Sequence, residues 1–292
     1  VLKDFSMKTN ILIALVCLSS ITMAQNKPAY LIYTGDGKPS DYTTLINEAA
    51  KNEIIFFGEL HDNSMAHWLE LQLTKDLFAK DNTLSLGMEM FEADNQLILD
   101  EYLNGLIDEK LLLNEAKVWD NYKNDYKPIT DFAKEYKLKV VATNVPRRYA
   151  NMVYKKGIES LETLQPEAKK FIAPLPITID LTLPGYKNMI SQMGGHGSAT
   201  SGENMAKSQA VKDATMAHFI LKNKKGKHLH FNGSYHSQNK EGIVWYLLQT
   251  NSKLKIFTIQ VVEQKDIGKL EDANKNVADF IICIPDDMTK TY

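Results

Sequence analysis

Short apolar runs that stop abruptly in polar, chemistry-capable clusters constrain this chain more than any other feature. Ile54–Gly58 leads into Glu59-Leu60-His61-Asp62, and Leu84–Met88 into Glu89-Met90-Phe91-Glu92. Leu138–Thr143 leads into Asn144-Val145-Pro146-Arg147-Arg148, and His228–Asn232 into Gly233-Ser234-Tyr235-His236. A continuous apolar run of this length reads as a strand buried on both faces. Helical patterns separate the runs, so the strands are expected to lie parallel. Open parallel sheets bind ligands beyond the carboxyl ends of their strands. Four distant segments would then deliver their polar residues to one crevice.

The expected fold is therefore α/β, with a mostly parallel sheet flanked by helices and a smaller helical cap subdomain. Tyr30–Thr34 reads as a first short strand and Asp41–Lys51 as a helix with Asp41 as N-cap. Helix Ser64–Lys80 carries Leu69, Leu73 and Leu77 at helical spacing. The stretch near 94–136 reads as helical and holds the aromatic cluster Trp119, Tyr122 and Tyr126. Arg147–Lys156 reads as a helix ending at Gly157, with Pro146 as its first residue. Residues 158–202 read as broken by Pro166, Pro174, Pro176 and Pro184 and by the loop Gly194-Gly195-His196-Gly197-Ser198. Both stretches are expected to cap the crevice. Helices Glu203–Asn223 and Glu241–Gln249 and strands Lys255–Val261 and Asp279–Ile284 complete a domain spanning 25–292.

Residues 1–24 read as a secretory leader. From Met7 the chain has a basic start, the apolar run Ile11–Cys17 and small residues before Gln25. The apolar run is too short to span a bilayer. Residues 1–6 fit no part of a leader and read as an overextended translation start. Val16 before Cys17 argues against a lipoprotein and for cleavage near Ala24. Cleavage removes Lys3, Lys8 and Asp4, which takes the formal charge from −2 to −3. It also removes Cys17, so the exported chain keeps Cys283 alone and relies on its core rather than a disulfide. No long run of one charge sign points to nucleic acid, and membrane association is left open.

Glu59 and His61 can supply a base and its orienter, or two metal ligands; Asp62 or Asn63 reads equally as the cap of the next helix. His67 reads as packing against or supporting the site. Glu89 ends a buried strand and needs a partner or a raised pKa, and Glu92 reads as a site residue or a helix cap. Of the adjacent pair, Arg147 rather than Arg148 is expected to face the crevice, where it could grip a carboxylate. His228 and His230 alternate along one strand face and, like His218, read as structural. His196, flanked by glycines, is poorly explained by packing. No HExxH, cysteine pair, Walker loop, GxGxxG or GxSxG is present, so no established metal motif is assigned.

At Phe57-Gly58-Glu59-Leu60-His61-Asp62, Gly87-Met88-Glu89-Met90-Phe91, Asn144-Val145-Pro146-Arg147, Gln209…Asp213…Met216-Ala217 and Gly233-Ser234-Tyr235-His236, the chain resembles the ChaN-like haem-binding family. That family belongs to a superfamily with the Tiki/TraB proteases and erythromycin esterases. The resemblance runs from about Tyr30 to Trp245. It implies an exported, iron-regulated protein whose cofactor is haem, stacked in pairs at a homodimer interface. A tyrosine would ligate each iron, and a histidine of the partner would meet the propionates. Tyr186, ten residues before His196, is the favoured tyrosine, with Tyr149, Tyr154 and Tyr235 as competitors; Arg147 and His196 complete the haem-binding candidates. The alternative is a hydrolase acting on an ester or peptide through Glu59, His61, Glu89, Arg147 and His236. His61 would then be general base, or a divalent metal would sit between these groups.

Overall fold

A computed structural model describes residues 27–194 and 199–291. The expected leader and His196 lie outside the described residues. The strands are β1 (Leu31–Thr34), β2 (Pro39–Ser40), β3 (Ile54–Glu59), β4 (Ser85–Glu92), β5 (Lys139–Asn144), β6 (His228–Gly233), β7 (Ile256–Gln264) and β8 (Phe280–Pro285). The α-helices are α1 (Tyr42–Ala49), α2 (Ser64–Lys80), α3 (Gln96–Leu103), α4 (Glu109–Glu115), α5 (Tyr122–Asp125), α6 (Lys127–Tyr136), α7 (Arg147–Lys156), α8 (Pro166–Lys169), α9 (Pro184–Gly194), α10 (Ala199–Asn223) and α11 (Ile243–Thr250).

The sheet order is β2-β1-β8-β7-β3-β6-β4-β5. β8 through β5 run parallel, and β1 and β2 add an antiparallel edge. From central β3 the chain moves outward to β4 and β5. It then returns to place β6 beside β3, and afterwards builds β7 and β8 on the other side. This reversal opens a crevice beyond the carboxyl ends of β3, β6 and β4, as the parallel topology requires.

Every residue of β3 is buried, and strand alternation sends successive side chains to opposite faces. Ile55 and Phe57 join the larger core with Leu45 of α1, Leu69 and Leu73 of α2, and Tyr126 and Ile129. Ile54 and Phe56 meet Met216 and Ile220 of α10 and Val244 and Leu247 of α11. Helices thus cover both faces of the sheet. The stretch from α3 to α6 is rooted in the larger core; its Trp119 lines the crevice and its buried Tyr126 reaches Glu59. α9, whose Tyr186 packs with Ala206 and Ala210 of α10, forms the opposite wall.

Capping follows local chemistry. Asp41 accepts from Thr44 N at 2.8 Å, and Asn63, rather than Asp62, accepts from Met65 N and Ala66 N. Pro146 sits one residue before the helix instead of starting it. The expectation of an irregular 158–202 is corrected from Pro184 onward. Pro184 begins α9, where its missing N–H costs nothing, and α10 starts at Ala199, four residues before Glu203.

His228 and His230 are structural, as their strand position implies. His228 Nδ1 pairs with Ser85 Oγ at 2.9 Å, and His230 bonds Thr143 Oγ1 at 2.9 Å and Asn232 Oδ1 at 3.0 Å. The room for these rings comes from Gly87. A Cβ there would lie 2.5 Å from His230 Cδ2 and 2.6 Å from His228 Nε2. Gly87→Ala is therefore expected to cost about 1–3 kcal/mol in urea unfolding, the usual range for overpacking a core. An unchanged midpoint would show that the rings are not held as described.

Candidate functional site

Two hydrogen-bonded relays approach the crevice from opposite faces of the sheet. The first starts at Glu59, which lies on the same β3 face as Ile55 and Phe57 and is 1% exposed. Its Oε1 is 2.5 Å from His61 Nδ1 and accepts from the Tyr126 hydroxyl at 2.8 Å. Burial alone would raise the Glu59 pKa, but the neighbouring His61 and His67 outweigh it and hold the carboxyl below its ordinary value. His61 is about one-third exposed to the crevice, with side-chain exposure of 35%. Its ring meets Trp119 edge-on, with centroids 4.8 Å apart. Burial would lower the His61 pKa; the Glu59 carboxylate reverses this and raises it. Asn121 fixes the turn by donating to His61 O at 2.9 Å.

The second relay is Tyr186–Asp213–His236–Glu89. The Tyr186 hydroxyl donates to Asp213 Oδ2 at 2.7 Å, and Asp213 Oδ1 lies 2.6 Å from His236 Nδ1. His236 Nε2 is 3.3 Å from Glu89 Oε1, while Glu89 Oε2 accepts from Gly233 N at 2.9 Å. All four side chains are buried. Burial opposes charge on His236, but Glu89 and Asp213 on either side push its pKa up to about 10. The same pairing overcomes burial to lower the Glu89 pKa, whereas burial dominates at Asp213 and raises its pKa. With both nitrogens engaged, His236 acts here as a buried cation rather than an open metal ligand.

Gly233 joins the relays. Its N–H serves Glu89, and a Cβ at this position would sit 2.5 Å from His61 Nε2. Glycine is the only residue that lets the β6 end approach this imidazole so closely. Around the junction lies a crevice of about 680 Å³, within the range of small-molecule sites. Trp119, Met189 and Tyr235 give it apolar and aromatic walls, and Arg147 and Lys212 bring cations. Asn144 Oδ1 and Gln209 Oε1, both on lining residues, are buried without hydrogen-bond partners.

The structure thus gathers Glu59, His61, Glu89, Arg147 and His236 at one crevice. Arg147 is exposed there, while Arg148 pairs with Asp94 at 2.5 Å. Glu92 also lines the crevice. Tyr186 lies behind the crevice, tied to Asp213, whereas Tyr235 lines it. Sequence reading missed Tyr126 and Lys212 as site residues. It placed Asp213 only within a family-like stretch.

A doubly wound sheet with carboxylate–histidine relays beyond its strand ends defines an α/β protein of the kind that holds ligands at that edge. A profile for the family described as haem-binding uptake, Tiki superfamily, ChaN matches residues 45–247, and the chain belongs to this family. A solved structure of cofacial haem binding to ChaN of Campylobacter jejuni is similar, with a TM-score of 0.65 at 19% identity, covering 87% of this chain and 96% of that one. A mutant of the erythromycin esterase EreC in its open conformation gives a TM-score of 0.50 at 11% identity, over 87% and 97% of the two chains. At these identities the likeness is one of fold. The protein RETICULATA-RELATED 5, chloroplastic, of Arabidopsis thaliana is 26% identical over 111 residues, which are 36% of this chain and only 15% of that protein.

The His236 charge makes stability depend on pH. Its folded pKa lies above the ordinary 6.5, so its contribution is complete below about pH 6.5 and lost as pH rises through about 10. Thermal unfolding of the wild type should therefore occur at falling temperature from about pH 7 to 10, and His236→Gln should flatten that decline. An equally steep decline in the variant would remove His236 as its source.

Proposed function

We propose that this chain binds haem in the strand-end crevice and handles haem or iron outside the cytoplasm, after cleavage near Ala24. The observation that carries the reading is the crevice lining in a chain of this family. Trp119, Met189 and Tyr235 offer apolar surface and a phenol, and Arg147 and Lys212 offer two cations suited to propionates. Neither cation has an ion-pair partner among the described residues.

Bound haem would supply an iron that accepts a tyrosine oxygen. Tyr235 is the tyrosine best placed to provide it, because its hydroxyl has only a weak contact with Met189 Sδ at 4.0 Å. Tyr186 donates to Asp213, and Tyr149 accepts from Arg148 Nη2 at 3.2 Å. Tyr154 is not a lining residue. His196 is retained as the histidine that meets propionates across a homodimer.

Hemin titration of the mature protein should give a saturable Soret band with a high-spin, tyrosinate-like spectrum. Tyr235→Phe should remove the tyrosinate character, Tyr186→Phe should keep it, and Arg147→Ala should weaken binding about tenfold or more, as expected for a lost charge-assisted contact. Absence of saturable binding contradicts the reading, and loss of the tyrosinate spectrum in Tyr186→Phe instead of Tyr235→Phe overturns the ligand assignment.

A hydrolase reading is favoured by one specific observation, the partly exposed His61 oriented by buried Glu59. That is the arrangement of a general base and its orienter, and Arg147 could steady developing negative charge. It predicts ester or peptide turnover that falls about 10²–10⁴-fold in His61→Ala with the fold intact. Equal rates in wild type and variant would dismiss it.

A further inference from the structure

Behind Glu59, away from the crevice, lies a second group of ionisable side chains that neither haem binding nor hydrolysis uses. His67 and Glu70 stand three residues apart on α2, on the helix face turned toward β3. Both are buried, at 4% and 0% exposed. One donor atom each from Glu59, His67 and Glu70 lies within 4.8 Å of the others.

The bonding of this group is incomplete. Glu59 uses Oε1 for His61 and Tyr126, but its buried Oε2 has no hydrogen-bond partner. Both Glu70 oxygens and both His67 nitrogens are likewise buried and without aligned partners. His67 Nε2 is 3.1 Å from Glu59 Oε2, and Nδ1 is 3.1 Å from Asp125 Oδ1, so the ring lies between carboxylates without hydrogen-bond alignment to either. Native interiors rarely leave polar atoms unsatisfied, and a buried carboxylate without a partner is costly. A proton on Glu70 would cancel one charge yet leave most of these atoms unmet. A cation meets them together.

We propose that Glu59, His67 and Glu70 form a binding site for one divalent transition-metal ion, zinc being the best match. One imidazole and two carboxylates are ordinary zinc donors, and they leave a fourth position open. The 3.1 Å between His67 Nε2 and Glu59 Oε2 matches the spacing of two ligands on one metal; tetrahedral bonds of ~2.0–2.1 Å put ligands ~3.3 Å apart. Asp125 Oδ1 stands 3.1 Å from Nδ1, on the side where a metal-bound histidine usually has its supporting carboxylate. The ion would tie β3 to α2 directly beneath the carboxylate that positions His61.

The test uses the mature chain purified without added metal, its metal content measured by mass spectrometry, then stripped with EDTA and titrated with zinc chloride while thermal unfolding is followed. One zinc per chain and a saturable rise in unfolding temperature are expected. Glu70→Gln keeps the shape of the protonated acid but removes the anionic ligand, and should weaken zinc binding at least tenfold. His218→Gln, on α10 and outside both relays, should bind zinc as the wild type does. No saturable shift in the stripped protein, wild-type affinity in Glu70→Gln, or loss of binding in a folded His218→Gln would each overturn the site. Zinc-edge X-ray absorption of the loaded wild type decides the matter independently of any variant. One imidazole with oxygen neighbours supports the assignment, and two imidazoles contradict it.

Discussion

The buried Glu59 carboxylate is the constraint on which the rest of the site depends. A charge at the end of a wholly buried strand must be satisfied by its surroundings. Two segments meet part of that demand with hydrogen bonds to Oε1, His61 from the turn after β3 and Tyr126 from the end of α5, while His67 of α2 lies 3.1 Å from Oε2 without bonding to it. The Trp119–Tyr126 stretch is therefore pinned to the sheet by a polar contact as well as by its apolar packing. Trp119 in turn positions the exposed side of His61. One carboxylate thus fixes both the floor and one wall of the crevice.

The other wall depends on a different economy of charge. Glu89 and Asp213 share the His236 cation, and Tyr186 closes the far end of that relay. Gly233 is where the two arrangements touch, because its amide holds Glu89 while its missing side chain leaves space for His61. The consequence is a crevice whose interior charges are largely neutralised from behind. Arg147, Lys212 and Tyr235 remain at its surface to meet a ligand. Such a division suits the recognition of a large, flat, acid-bearing molecule, and it also leaves one imidazole exposed for proton transfer.

Much of this was legible in the sequence where the signal is local. The apolar run Ile54–Phe57 followed by Gly58 reads as a buried strand, and α2 and α7 span the residues that helical spacing and the Gly157 stop indicate. The position of Glu59, Arg147 and His236 at or just past strand ends followed from parallel topology, whereas Glu89, expected to end its strand, lies inside β4, which runs on to Glu92 past a register shift. α9 was hidden because Pro184 read as a breaker; a proline in the first turn is harmless, and the helix is held by Tyr186 against Ala206 and Ala210. Tyr126, Asp213 and Glu70 were out of reach for a different reason. Whether a helix residue points at a strand end depends on how the helix is rotated and docked, and one sequence carries no direct record of that. His67 illustrates the limit: its support for the site was legible, but the pair it forms with Glu70 was not.

The proposed haem lies beyond the carboxyl ends of β3, β4 and β6. The most direct measurement is an iron-edge anomalous difference map from crystals grown with hemin. An iron peak within bonding reach of the Tyr235 hydroxyl, with the propionates turned toward Arg147 and Lys212, is the predicted result. An iron peak on any other face of the chain, with the crevice filled only by solvent, would contradict the account.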